Sequence, residues 1–242
     1  MERNIKIYST PYELAEKFAG EIAGLISERK DEDHPFSIAL AGGSTPELLY
    51  SVLGDHFTNE VAWHRLHLYW GDERCVPPDD HDSNYGMVYR SLIRKIRIPP
   101  SNIHRVIGEN DPQHEAKRYG REIARDLKSN NGLPVFDLVI LGLGEDGHTA
   151  SIFPKSARLL ESPEICEVSV HPVSGQKRIT LTGPVIRNAD RIVFIATGTS
   201  KAEIVARILH NDKESKNFPA ALIVPMGGEM KWLLDGRSAA LL

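Results

Sequence analysis

Short, almost wholly apolar runs alternate along this chain with segments of helical periodicity, and that alternation restricts its fold most. Phe36-Ser-Ile-Ala-Leu-Ala41 runs into Gly42-Gly43, and Arg65-Leu-His-Leu-Tyr-Trp70, Phe136–Gly142 and Arg191–Ala196 follow the same pattern. A strand that is apolar on both faces belongs in a parallel sheet covered on both sides. Between the runs lie helical patterns. Thr10-Pro-Tyr-Glu13 reads as a capping box with proline at the first helical position. Leu14, Phe18, Ile22 and Leu25 then recur at helical spacing as far as the charged stretch Ser27–Asp33. Further helices are expected from Thr45 to about Leu53, near Asn84–Ile96, from Pro112 to Lys128 and from Ser200 to Leu209. Arg178-Ile-Thr-Leu-Thr182 and Ala221-Leu-Ile-Val224 read as two more strands, the latter the last. The expected fold class is α/β, with a mostly parallel sheet between helices. Asn130-Asn-Gly132 and the Ser156–Gly175 region are turn-rich without reading as linkers, so one domain is expected over residues 1–242.

Composition narrows the function. A formal net charge of −4 lacks the basic excess of a general nucleic-acid binder. No apolar run approaches the roughly 20 residues of a membrane span, and Met1-Glu-Arg-Asn-Ile carries no apolar signal segment. The two cysteines, Cys75 and Cys166, lack metal-ligand spacing and suit free thiols in a reducing compartment. A cytoplasmic protein is expected, with no nucleic-acid or membrane partner.

The chemistry-bearing residues stand directly after four expected strands. They are Gly42, Gly43, Ser44 and Thr45; Asp72, Glu73 and Arg74; Gly142 to Thr149; and Thr197 to Lys201. In a parallel sheet these strand ends share one edge, where open α/β folds bind ligands. Two glycines, two hydroxyls and a helix start make Gly42–Thr45 an anion site on helix N–H groups, or a tight turn in which Thr45 caps the helix. Lys201, at a helix N-terminus against the dipole, makes sense beside an anionic ligand, or is a solvated surface lysine. Arg74 can fork onto a phosphate or carboxylate, or pair with Asp72 or the acidic run Asp79–Asp82. Arg178 is a second anion clamp or an edge-strand charge.

Gly142-Leu-Gly-Glu-Asp-Gly-His-Thr149 imitates both the dinucleotide fingerprint and the P-loop. Glu145 and Asp146 would face the pyrophosphate in the first, and His148 stands where the second needs lysine. Three readings remain. His148 is a general base oriented by Asp146, a histidine hydrogen-bonded for structure, or a metal ligand with Glu145 and Asp146. His64 and His67 supply no further ligand pair, because residues three apart on a strand face opposite sides.

With these residues in view, the chain resembles the 6-phosphogluconolactonase family across nearly its whole length. The resemblance is carried by Ala41-Gly-Gly-Ser-Thr-Pro46, Trp70-Gly-Asp-Glu-Arg-Cys-Val-Pro77, Asp82-Ser-Asn-Tyr85, Leu141–Pro154 and Arg178-Ile-Thr-Leu-Thr182. It departs from the family in Gly71, usually alanine, and His81, usually proline. The resemblance implies a three-layer α/β/α Rossmann-like sandwich shared with glucosamine-6-phosphate deaminases and ribose-5-phosphate isomerases. It also implies no metal and no cofactor, and a phosphorylated sugar lactone as substrate of a monomer or weak homodimer. On it, His148, Asp146 and Arg74 are the expected catalytic residues. Gly42, Gly43, Ser44, Thr45, Asp72, Arg178 and Lys201 are expected to bind substrate and phosphate. Two alternatives stand beside it. A deaminase or isomerase shares an Asp-Gly-His loop but continues through an added acid, where this chain has Thr149-Ala-Ser-Ile-Phe-Pro154. A sugar-phosphate sensor would need only the anion site. Ser151 lacks an activating elbow, so a serine esterase is a poor reading.

Overall fold

The computed structural model describes residues 4–29 and 35–242. The distal part of the charged Ser27–Asp33 stretch and the first three residues therefore lie outside the described residues. Helix α1 (Pro11–Glu28) follows strand β1 (Asn4–Tyr8). Thr10 caps α1 by accepting from the Glu13 N–H at 3.1 Å, but Glu13 returns its hydrogen bond to the Ser9 N–H at 2.8 Å. The reciprocal half of the expected box is thus displaced by one residue.

Then come β2 (Phe36–Leu40), α2 (Ser44–His56), β3 (Leu66–Trp70), β4 (Asp72–Arg74) and α3 (Asn84–Ser91). They are followed by β5 (Ile103–His104), α4 (Pro112–Asp126), a small hairpin of β6 (Ser129–Asn130) and β7 (Leu133–Pro134), and β8 (Leu138–Leu141). The chain ends with β9 (Cys166–Val170), β10 (Lys177–Leu181), α5 (Gly183–Arg187), β11 (Arg191–Ala196), α6 (Ala202–Leu209) and β12 (Glu229–Asp235).

Seven strands form one sheet in the order β1-β12-β11-β8-β2-β3-β5, and every pairing is parallel. All residues of β2 and β8 are buried, which is why both are apolar without alternation. From β2 the chain moves through β3 to β5, whereas from β8 it moves the other way through β11 to β12. Right-handed crossovers in opposite directions place helices on opposite faces, giving the α/β/α layering with α1 packed on α2. The loops after β2 and β8 part at this reversal and leave a crevice at the carboxyl edge.

A second sheet, β4-β10-β9, is antiparallel. It corrects two expectations. Arg178 sits on β10, the middle strand, and is not an edge charge. The turn-rich Ser156–Gly175 region contains β9. The expected last strand, Ala221–Val224, is also corrected. Pro219–Leu222 is a short 3-10 turn, and the strand is the following Glu229–Asp235. β12 lies between β11 and β1, so both its edges are paired and its tryptophan and leucines are buried. No helix among the described residues is long and apolar enough to cross a membrane.

Candidate active site

A cavity of about 210 Å³ opens at the crevice, lined by residues of all four strand-end loops. Ala41, Gly42 and Gly43 come from the loop after β2; Asp72 and Arg74 from β4; Gly142 to Gly144, His148 and Ala150 from the loop after β8; and Lys201 follows β11. Asn84 at the start of α3 and Arg178 on β10 complete the wall. Of the expected site residues, Ser44, Thr45 and Asp146 do not line it. Thr45 does not cap α2 either. The cap position is Gly43, which offers no side chain, and Thr45 Oγ1 is hydrogen-bonded to Thr197 Oγ1 at 2.7 Å. That bond ties the loops after β2 and β11 together and leaves the first N–H groups of α2 without a capping side chain.

The loop after β8 is held by its own main chain. Gly144 donates to the His148 carbonyl at 2.9 Å, Gly147 to the Gly144 carbonyl at 3.0 Å, and Thr149 Oγ1 to the Gly142 carbonyl at 2.9 Å. No α-helix follows it, which removes the structural context that either nucleotide motif requires. His148 Nδ1 lies 2.5 Å from Asp146 Oδ1, and that oxygen also accepts the His148 N–H at 3.1 Å. A Cβ on Gly144 would meet His148 Nδ1 at 2.1 Å and Asp146 Oδ1 at 2.6 Å, so glycine is needed under this pair. Partial burial raises Asp146, but the hydrogen bond and charge of His148 outweigh it and hold the carboxyl below its ordinary value. An ionised aspartate only accepts, so Nδ1 carries a proton, and Nε2 is the nitrogen left to act as the base. Glu145 faces away, 3.9 Å from Lys201 Nζ, and forms no ligand group with Asp146 and His148 among the described residues.

The metal-ligating geometry lies elsewhere, at His104, Glu122 and Asp126. There Arg118 already pairs with Glu122 and Arg125 with Asp126, and His104 bridges Glu122 at 2.9 Å and His67 Nδ1 at 2.9 Å. This is a satisfied ion-pair network. His67 thus finds its partner on β5 rather than in His64.

Arg74 and Arg178 stand directly opposite each other in the β4–β10 register. Like charges so placed destabilise a sheet. Arg74 Nη1 donates to the Asp82 carbonyl at 2.6 Å, while Arg178 makes only long contacts, 3.5 Å to Ser151 Oγ and 3.4 Å to Gln176. Among the described residues, the buried Nε groups of both arginines have no partner. Two opposed guanidiniums with unspent donors, and Lys201 in the same cavity, are arranged for an anion. Ser151 is wholly buried and donates to Asp72 Oδ2 at 2.6 Å, so it is no exposed nucleophile.

Four residues escaped the sequence reading. Ala150 lines the cavity in a left-handed conformation, φ 48°, a strained setting for a non-glycine residue. Phe153 is buried beside His148, ring centroids 4.7 Å apart, with His171 and the Arg178 guanidinium also against it. His171 Nδ1 accepts from the main chain of Val173 and Ser174. Asn84 was visible only as part of Asp82-Ser-Asn-Tyr85. His171 and Asn84 have no spacing signature because the second sheet and α3 bring them to this region, whereas Ala150 and Phe153 lie in the loop after β8 as ordinary apolar residues of the Leu141–Pro154 motif.

Glu73 fastens that region. Its carboxylate accepts from the N–H groups of Arg74, Asn84 and Tyr85, each at 2.7 Å, and from Ser83 Oγ at 3.2 Å. Burial pushes the carboxyl up to about 7, with the three main-chain donors pulling the other way. Glu73→Gln turns one acceptor into a donor facing N–H groups. Each donor left unsatisfied costs about 1–3 kcal/mol. Urea unfolding is expected to show a loss of that size, and a variant within about 0.5 kcal/mol of the parent would refute the bracing role.

The arrangement is a cation-lined cavity at the carboxyl edge of a doubly wound sheet. Comparison with known proteins names the class. The family model for glucosamine-6-phosphate isomerases/6-phosphogluconolactonase matches residues 9–232, and the chain belongs to this enzyme family. Within it, the chain is 43% identical over 211 residues to the 6-phosphogluconolactonase of Haemophilus influenzae, covering 87% of this chain and 89% of that protein. A devB protein of known crystal structure superposes with a TM-score of 0.93 at 41% identity over 99% of both chains. The 6-phosphogluconolactonase structure of Trypanosoma brucei gives 0.86 at 32% identity, covering 100% of this chain and 99% of that one.

Proposed function

We propose that the protein hydrolyses 6-phospho-D-glucono-1,5-lactone to 6-phosphogluconate, as the names of its relatives indicate, with His148 as general base and without a metal. The observation that carries the reading is the Asp146–His148 pair at the mouth of a cation-lined cavity. His148 Nε2 takes a proton from a water as its oxygen attacks the lactone carbonyl carbon. Arg74 and nearby main-chain N–H groups stabilise the oxyanion. The ring C–O bond then breaks and the imidazolium returns its proton to the departing ring oxygen, leaving a hydroxyl and a carboxylic acid, which ionises to the carboxylate by releasing the second water proton to solvent. Arg178, Lys201, Gly43 and the uncapped start of α2 hold the phosphate. Ser44 and Thr45 contribute main-chain N–H groups there, with Thr45 locking the loop through Thr197. Asp72 contributes its carboxylate to the cavity wall, with one oxygen bound by Ser151.

The packing around His148 favours lactone hydrolysis over amino-sugar ring opening. The carboxylate that hydrogen-bonds His148 is Asp146, and on another side the ring meets Phe153 rather than an added acid. The test follows lactone disappearance with spontaneous hydrolysis subtracted, with and without a chelator. Acceleration that survives the chelator is expected. Loss of rate on chelation, restored by added metal, would overturn the metal-free mechanism. No acceleration above background would overturn the lactonase reading itself.

A further inference from the structure

The cavity is lined by three cations, Arg74, Arg178 and Lys201, yet a sugar ring also brings hydroxyl protons that need acceptors. Arg74, Arg178 and Lys201 can only donate. One Asp72 oxygen is taken by Ser151. Beside the second Asp72 oxygen and His148 Nε2, which the hydrolysis uses, the other acceptor side chain of the wall is Asn84, which lines the cavity and is 2% exposed. It is the first residue of α3, after the cap Ser83, and its main-chain N–H is held by Glu73 at 2.7 Å. Its Nδ2 donates to the Asp72 carbonyl at 2.9 Å. Only the NH₂ end of an amide can donate to a carbonyl, so this bond sets which way the side chain faces. Oδ1 therefore points at Gly42, so closely that a Cβ there would lie 2.0 Å from it. Gly42 is itself cavity wall. The fold thus spends a glycine, a buried carboxylate and a helix start on aiming one neutral amide oxygen.

We propose that Asn84 is a specificity-determining residue whose Oδ1 accepts a hydrogen bond from a ring hydroxyl of the substrate. A neutral acceptor suits this position, because a second carboxylate beside Asp72 would repel the phosphate that the arginines attract. The inference rests on the sugar-phosphate lactone reading and deepens it to a hydroxyl-bearing ring presented in one orientation.

The test compares kcat/KM for 6-phosphogluconolactone and its 2-, 3- and 4-deoxy analogues, in the parent protein and in Asn84→Ala. A neutral hydrogen bond of this kind corresponds to about a 3- to 10-fold preference. The parent is expected to show at least that preference against one deoxy position. Asn84→Ala is expected to lose a similar factor on the full substrate and to accept that one deoxy analogue within about twofold of it. Gly42→Ala provides a second route, since its methyl group displaces the amide while Asn84 remains, and the same discrimination is expected to vanish. Melting temperatures separate misfolding from the effect. A folded Asn84→Ala protein that still rejects the same deoxy analogue overturns the assignment. If the parent accelerates no lactone loss at all, the underlying reading fails and the role of Asn84 falls with it. Turnover by the parent with unchanged discrimination in both variants sinks Asn84 alone.

Discussion

His148→Ala is expected to lower kcat by about 10²–10⁴-fold, the usual cost of a lost general base, with the melting temperature little changed. The side chain is partly exposed, and Asp146, its one hydrogen-bonded partner among the described residues, lies on the same loop. Asp146→Asn is the sharper companion. The amide that replaces the carboxylate can present its NH₂ to Nδ1, turning the imidazole to the tautomer whose Nε2 carries the proton. Such a ring cannot take a proton from water, so a loss of similar order is expected without loss of substrate binding. Since Asp146 is held below its ordinary value, its carboxylate keeps orienting His148 at acidities where a free aspartate begins to protonate. Any stability this confers is present above the unfolded value and disappears as pH falls through the lower folded value. Turnover close to the parent's in a folded His148→Ala protein would remove His148 from the reaction.

Arg178→Met is expected to weaken binding of inorganic phosphate and of 6-phosphogluconate by about 10- to 100-fold, since a hydrogen bond to a charged group contributes about 1.5–3 kcal/mol. The same change is expected to leave the phosphate-free protein as stable as the parent, or more so. Arg178 and Arg74 oppose each other across β4 and β10, their Nε groups have no partner among the described residues, and burial pulls the Arg178 guanidinium below its ordinary value. An anion relieves this arrangement, and so does a methionine of comparable length. Thermal melts with and without phosphate therefore distinguish two roles. A binding residue loses the phosphate-induced rise in Tm, whereas a structural residue loses stability in both buffers. Unchanged phosphate affinity in the variant would move the anion site to Lys201 and the start of α2.

Much of this was written in local pattern. The four central strands β2, β3, β8 and β11 are apolar on both faces because helices cover them, and that alone marks a parallel sheet. Once such a sheet exists, every strand end that carries glycines and charges lies on one edge, and His148, Asp146, Arg74 and Lys201 were legible there. The weaker assignments share a cause. Ala221–Val224 is as apolar as a strand, but it sits beneath the loop after β8, where Ala220 donates to the Gly147 carbonyl. β12 carries Glu229 and Lys231, yet it is closed between two other strands. Composition reports how much a segment can bury, whereas its neighbours decide whether it pairs.

The sequence by itself determined the fold class, the sheet edge on which the cavity opens and the histidine–aspartate pair, since these follow from periodicity and from residues two apart on one loop. Only the tertiary structure set Arg178 against Arg74, turned Thr45 from cap to loop tie, buried Ser151 and aimed the Asn84 amide over Gly42. Those are contacts between segments far apart in the chain. Apart from the Thr45 tie, they arise because β4, a three-residue strand after Gly71, leaves the main sheet to pair with β10, and no local spacing encodes the partner of so short a strand.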